Sequence, residues 1–231
     1  MKTPLFELLF VVMPIVEIIG DLLEAEEQYI VQQSNCATTY AAGLAAGIAS
    51  KFPHADVYTP GARAARGTMG GDIPGTIAVL GGAACSVEDD RKLRGVINIF
   101  GQFTPGKPRR LRQTTPLEYG SIVAPPDVVD DAAQRMEWFE AGLREIAQLD
   151  GLESLAFPFQ IGCGLAGGDW RVYHRALDKF SDDMGSRSVQ VSLYKLPQAS
   201  WPCVDCRSMA STSGGQFWKK MWYCNACYKT Y

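Results

Sequence analysis

The stretch Phe157-Pro-Phe-Gln-Ile-Gly-Cys-Gly-Leu-Ala-Gly-Gly-Asp-Trp170 constrains the fold more than any other part of the chain. An apolar, β-prone run passes into a glycine-dense loop, and Asp169-Trp170 then opens a helix. Gly162, Gly164, Gly167 and Gly168 lack Cβ atoms, so backbone can approach a ligand closely and aim successive N–H groups at phosphate oxygens beside a positive helix N-terminus. Taken alone, such a loop is also compatible with a strand-to-helix turn that binds nothing.

A second junction of the same kind lies upstream. Tyr29-Ile-Val-Gln-Gln-Ser-Asn-Cys36 is an apolar strand with a polar tip, and the small residues Ala41-Ala-Gly-Leu-Ala-Ala-Gly-Ile48 lead into a helix. Two such edges on one sheet make a cleft that holds a diphosphate between them, with Asn35 placed to hydrogen-bond sugar hydroxyls. Strand-like runs at about 14–19, 29–34, 75–80, 95–100, 153–158 and 188–194 alternate with helical stretches at about 43–51, 129–148 and 169–184, a pattern that means layered α/β. In the 129–148 helix, Val128, Ala132, Met136, Phe139, Leu143 and Ile146 recur at three- and four-residue spacing, so it is read as core support. Segments 59–74, with Arg63 and Arg66, and 103–127, with Lys107, Arg109, Arg110 and Arg112, read as long loops, the second either a solvated basic surface or a phosphate-steering one.

With 231 residues and 47% hydrophobic content, one substantial core and a small appendage are expected. The net charge of −3 argues against nucleic-acid binding by the whole chain, although residues 200–231 set Arg207, Lys219, Lys220 and Lys229 against Asp205 alone. Leu8–Val16 is apolar, but Glu7 precedes it, Pro14 interrupts it, and it is far too short to span a membrane. It reads as a first strand rather than a signal peptide, so a cytoplasmic protein with no membrane partner is expected.

The C-terminal segment carries its own signal. Cys203-Val-Asp-Cys206 and Cys224-Asn-Ala-Cys227 are two C-x₂-C pairs separated by 17 residues. Two such knuckles complete a tetrahedral Cys₄ zinc site, closed and therefore structural, that supplies folding free energy to a segment too short for its own core. Disulfides are disfavoured by the missing secretory signal and by the further thiols Cys36, Cys85 and Cys163. Trp201, Trp218, Trp222, Tyr223, Tyr228 and Tyr231 surround the knuckles, and this aromatic and basic mix suits an RNA surface, a protein-docking face or a small core equally well.

Glu17-Ile-Ile-Gly-Asp-Leu22, the Ser34-Asn35-Cys36 strand end with Gly43-Leu-Ala-Ala-Gly-Ile48, Val96-Ile-Asn-Ile-Phe-Gly-Gln102 and Ile161–Gly168 together resemble the macro domain family, over roughly residues 13–196. The resemblance is strongest to the branch of ADP-ribose-1″-phosphate phosphatases and glycohydrolases that remove ADP-ribose from carboxylates. It implies a three-layer α/β/α macro domain with a mixed central sheet over residues 1–196, residues 1–12 being a possible extension, and the zinc ribbon read from the cysteine spacing then occupies 197–231. The implied ligand is ADP-ribose or ADP-ribose-1″-phosphate. Its adenine amino group would meet Asp21 beside Leu22, its distal ribose Asn35 and Gly43 near Leu44, and its phosphates the loop Gly162, Cys163, Gly164, Leu165 and Ala166.

The same resemblance narrows the chemistry. The glycohydrolase branch places an aspartate after its Gly-x-Gly-Leu and a lysine on the strand matching 97–102, whereas this chain has Ala166 and no lysine there. Some phosphatase members carry a histidine just before the Asn35-like residue, and here Gln32 and Gln33 stand instead. Asn35 and Asp169 remain as the catalytic candidates, Asp169 either assisting water or capping the helix that starts at Trp170. Asp56, His54 and His174 are further acid–base candidates, and both histidines read as ordinary surface or helix residues.

Overall fold

The computed structural model describes residues 14–68, 71–82, 93–110 and 128–196, together with the backbone of two strands near the C-terminus, Gly215–Trp218 and Met221–Cys224. The elements in chain order are β1 (Val16–Ile19), β2 (Tyr29–Asn35), α1 (Leu44–Lys51), α2 (Pro60–Ala65), β3 (Ile77–Leu80), β4 (Gly95–Gln102), β5 (Arg109–Arg110), β6 (Val129–Asp130), α3 (Ala132–Ile146), β7 (Ser154–Pro158), α4 (Trp170–Gly185), β8 (Gln190–Lys195), β9 (Gly215–Trp218) and β10 (Met221–Cys224). Short 3₁₀ turns occupy Leu22–Glu24 and Pro53–Ala55.

Six strands form one mixed sheet in the order β1-β8-β7-β2-β4-β3, parallel throughout except where β3 runs antiparallel to β4. All eight residues of β4 are buried, as expected for a strand covered on both faces. The period-two alternation along β2 and β4 sends Tyr29, Val31, Ile97 and Ile99 to one side, where they meet Phe139 and Leu143 of α3 and Tyr173, Leu177 and Phe180 of α4. Ile30 and Val96 face the other way, against Ile48 of α1 and Leu22. The result is a three-layer α/β/α body. Gly142 lets α3 settle onto the sheet, since a Cβ there would lie 2.4 Å from Ile99 Cγ2.

The helical periodicity read over 129–148 starts too early: Val129–Asp130 pairs with Arg109–Arg110 as β6, and the helix begins at Ala132 because the Asp131 side chain accepts from Gln134 N. Within the stretch read as a loop over 59–74, Pro60 at the first turn and the Thr59 cap produce α2. The expected strand at 8–16 falls on described residues only at its end, residues 1–13 being outside them. No helix among the described residues is long and apolar enough to cross a membrane.

β9 and β10 form an antiparallel hairpin, Trp218 opposite Met221 and Gly215 opposite Cys224. Of the four expected zinc ligands, Cys224 ends β10, while Cys203, Cys206 and Cys227 lie outside the described residues. Among the described residues no cluster of His, Cys, Asp or Glu could hold a metal ion.

Candidate functional site

Ligands of open α/β sheets bind at the carboxyl ends of the strands, and the cavity here lies there. It measures about 620 Å³, within the range of small-molecule sites, and is lined by the ends of β1, β2, β4, β7 and β8 and the loops that follow them. In β2 the sequence changes from Tyr29-Ile-Val to Gln32-Gln-Ser-Asn: the first half enters the core, Gln32, Gln33 and Asn35 of the second half line the cavity wall, and buried Ser34 donates to Asn98 Oδ1. Gln33 Nε2 donates to Gln102 Oε1 at 3.0 Å and Gln102 Nε2 to Thr104 O at 3.1 Å, so the floor is a chain of neutral carboxamides.

Asn35 is held in one orientation. Its Oδ1 accepts from Ala37 N (3.1 Å), Thr38 N (2.8 Å) and Thr38 Oγ1 (2.9 Å), and three donors on one atom identify it as the oxygen. Nδ2 is thereby left as the group that Asn35 offers a ligand. Asp21, which follows β1, accepts from Leu23 N through Oδ1 at 2.9 Å and caps the 3₁₀ turn carrying Leu22. Both residues line the cavity, as do Gly43, Leu44, Gly162, Gly164, Leu165 and Ala166.

Two glycines are demanded by the loop geometry. Gly43 has φ 60° at the start of α1, and Leu165 Cδ1 lies 3.4 Å from where its Cβ would be, so the two loops meet at that point. Gly162 has φ 72°, and its Cβ would collide with Tyr173 Cε1 at 2.4 Å. Within the second loop, Cys163 N donates to Gln160 O, Gly167 N to Gly164 O and Gly168 N to Gly162 O. The N–H groups of Gly164, Leu165 and Ala166 have no backbone acceptor among the described residues, which leaves three consecutive donors for an anion.

Cys163 stands apart from its neighbours. Its N–H is spent, its Sγ donates to Ile161 O at 3.3 Å, and the residue is not among those lining the cavity. Burial, with the Asp169 charge nearby, pushes its thiol up to about 11, so it remains a thiol at neutral pH. Asp169 also lies outside the lining: it caps α4 by accepting from Arg171 N at 2.9 Å and pairs with Arg171 Nη2 at 3.0 Å. Hydrogen bonds from the Arg171 side chain and backbone hold its carboxyl below the usual range, so it is ionised and unsuited to donating a proton.

The other acid–base candidates are committed elsewhere. His54 Nε2 meets Arg94 O at 2.8 Å, His174 pairs with Asp178 at 2.9 Å, and Asp56 accepts from Tyr58 N. Of the charged residues, Asp21 and Lys195 are those that line the cavity among the described residues. Lys195 stands over the Phe159 ring at 4.7 Å from its centroid, at the same end as Asp21, since Gly20 N donates to Lys195 O.

Among solved structures, the fold is similar to the macrodomain of Mycobacterium tuberculosis DarG, at 21% identity and TM-score 0.52, over 79% of this chain and 98% of that one. The macrodomain of Thermus aquaticus DarG gives 21% identity and TM-score 0.52 over 78% and 97% of the two chains. The chain has the macrodomain fold. A third similar structure is Thermosipho africanus DarTG in complex with ADP-ribose, 20% identical with TM-score 0.50, over 79% of this chain and 41% of that one. No family model and no curated protein matches the sequence.

Two charged residues that support the cavity escape sequence reasoning. Arg135 is buried beneath it and donates to Gly106 O (2.6 Å), Ala166 O (3.2 Å) and Thr104 O (3.1 Å), while Asp130 neutralises it. It staples the second loop to the loop after β4. Arg63, behind Asn35, is the other. Arg63 lies in the stretch read as a long loop and Arg135 in the helix read as core support, and only tertiary placement reveals that both are buried against charged partners.

Proposed function

We propose that the cavity binds ADP-ribose and that the protein hydrolyses ADP-ribose-1″-phosphate to ADP-ribose and phosphate. The observation that carries the reading is the loop after β7, whose Gly164, Leu165 and Ala166 N–H groups have no backbone acceptor among the described residues, which meets Gly43 through Leu165 and lies in sheet order between β1, followed by Asp21, and β2, ending at Asn35. That arrangement matches an adenine amino group, a diphosphate and a distal ribose in order. It agrees with the ADP-ribose present in the similar DarTG structure. In the hydrolysis, water attacks phosphorus, the bond to the 1″-oxygen breaks, and that oxygen takes up a proton from the attacking water. Asn35 fixes the ribose and loop N–H groups stabilise developing phosphate charge; Asp169, outside the cavity lining and paired with Arg171, would orient water only once that pair opens.

A non-enzymatic ADP-ribose reader is the second reading, favoured by the commitment of Asp169 to Arg171 and by a wall whose described charges are Asp21 and Lys195 alone. Calorimetry and turnover measured with ADP-ribose, ADP-ribose-1″-phosphate and mono-ADP-ribosylated protein separate the readings. Phosphate release supports the phosphatase, release of ADP-ribose from the modified protein would make the chain a glycohydrolase, and binding without turnover leaves the reader. In the phosphatase, Asn35→Ala lowers turnover more than binding, as does Asp169→Asn. The appendage proposed for 197–231 is a structural zinc ribbon held by Cys203, Cys206, Cys224 and Cys227, which would recruit RNA or protein. Four thiolates suit a closed tetrahedral zinc site, and its ions would take no part in the hydrolysis.

A further inference from the structure

Behind the first loop, α2 and the segment that follows it build a buried ion-pair cluster. Arg63 and Asp72 are 2% and 5% exposed, and Arg63 Nη1 donates to Asp72 Oδ2. Arg66 Nη2 reaches both oxygens of Asp72, at 3.0 and 2.9 Å, and also donates to Val57 O at 2.8 Å. Stability alone gives little reason for such a cluster, because a buried pair rarely outperforms apolar residues of equal volume. Here it even leaves Arg63 Nε without a hydrogen-bond partner.

What the cluster does is grip the turn that follows Asn35. Arg63 Nη2 donates to Thr38 O at 2.5 Å, and Asp72 N donates to Cys36 O at 3.3 Å. Thr38, fixed through its carbonyl, supplies two of the three donors on Asn35 Oδ1. A chain of direct bonds thus runs from a buried guanidinium to the carboxamide in the cavity wall. We propose that Arg63 is a positioning residue for Asn35: by fixing Thr38 it makes the carboxamide present Nδ2, a donor, so that the ligand atom it selects is an acceptor oxygen of the distal ribose. The proposal rests on the ADP-ribose reading of the cavity.

The test uses the full chain and two nucleotides, ADP-ribose and ADP, which stops at the diphosphate and does not reach Asn35. Arg63→Met should weaken ADP-ribose by about tenfold, the size of one good hydrogen bond, and leave ADP within about twofold. Arg63→Lys keeps the charge beside Asp72 but cannot fork to Thr38 O, so it should fold normally and show the same selective loss at smaller size. In the ligand-free protein, the ¹⁵N–¹H side-chain signal of Asn35, assigned with Asn35→Ala, should move or broaden in both variants. Equal losses for ADP and ADP-ribose, or no loss in either variant, would overturn the proposal. Should the wild type bind neither nucleotide, the ligand reading fails, and the amide signal decides the positioning role: unchanged in Arg63→Lys, it refutes that role.

Discussion

Gly164→Glu is expected to remove most ADP-ribose affinity without disturbing the fold. A Cβ at Gly164 meets nothing within 4 Å and the residue does not sit at positive φ, so a side chain fits there without strain. At Gly162 it would not. The new carboxylate would stand beside the N–H groups of Gly164, Leu165 and Ala166, which have no backbone acceptor among the described residues and which the proposed diphosphate needs. One pair of like charges about 4 Å apart costs about 1 kcal/mol in bulk water and about 4 kcal/mol near a protein surface. Gly164 is exposed, which favours the lower half of that range. A loss of about 1–2.5 kcal/mol corresponds to roughly 5- to 70-fold in Kd. Calorimetry on wild type, Gly164→Glu and the uncharged, similarly sized Gly164→Gln isolates the charge, and raising the salt should shrink the difference between Glu and Gln. Thermal stability should change little, as for surface substitutions generally. If Glu binds like wild type, no anion passes the loop; if Gln loses as much as Glu, volume rather than charge is responsible.

Arg135→Met strands buried Asp130 and frees Ala166 O, so urea denaturation should show a loss of about 3–5 kcal/mol, with weaker ADP-ribose binding in whatever remains folded. Cys163, whose thiol is pushed up to about 11 from an ordinary 9.0, should alkylate slowly with iodoacetamide between pH 7 and 9 and faster only as pH approaches about 11, read by mass spectrometry of its peptide. By linkage the folded state holds this proton longer than the unfolded one, so the thiol's contribution to stability is complete below pH 9 and is lost as pH rises through about 11. Elemental analysis should find one zinc in the full chain and none in a chain ending at Leu196 that still binds ADP-ribose; zinc kept at unit stoichiometry after truncation would refute the Cys₄ assignment.

The regular elements were legible because their signals are local. The apolar run of Ile30 and Val31, the face repeating through Phe139, Leu143 and Ile146, and the glycines at 162 and 164 each announce a strand, a helix or a close backbone approach from neighbouring letters alone. The two loops could be read from the same local signals, whereas Asp21 was singled out by the family resemblance alone; the structure places all three on one cavity. Less legible was how polar groups divide their hydrogen bonds. Nothing in the sequence says that Cys163 N–H is spent on Gln160 O while the next three have no backbone acceptor among the described residues, or that Asp169 gives its charge to Arg171. Arg63 and Arg135 were hidden for a related reason: a charged residue reads as solvated until its partner is located, and Asp72 and the carbonyls of Thr38, Gly106 and Ala166 become partners only in three dimensions.

The pairing of β1 with β8 has a consequence for when the protein becomes competent. Val16 lies opposite Ser192, and Gly20 N closes on Lys195 O, so the Asp21 end of the cavity is assembled from the two extremes of the domain. Contacts between residues so distant in sequence form late and slowly, because a very long loop must close before they contribute anything. A ribosome that has delivered β2, α1 and the glycine loop has supplied the segments proposed to face phosphate, but the edge strand still lacks a neighbour. Only after Lys195 leaves the exit tunnel can β1 dock, and until then the nascent chain exposes a half-made pocket whose apolar edge is a target for chaperones.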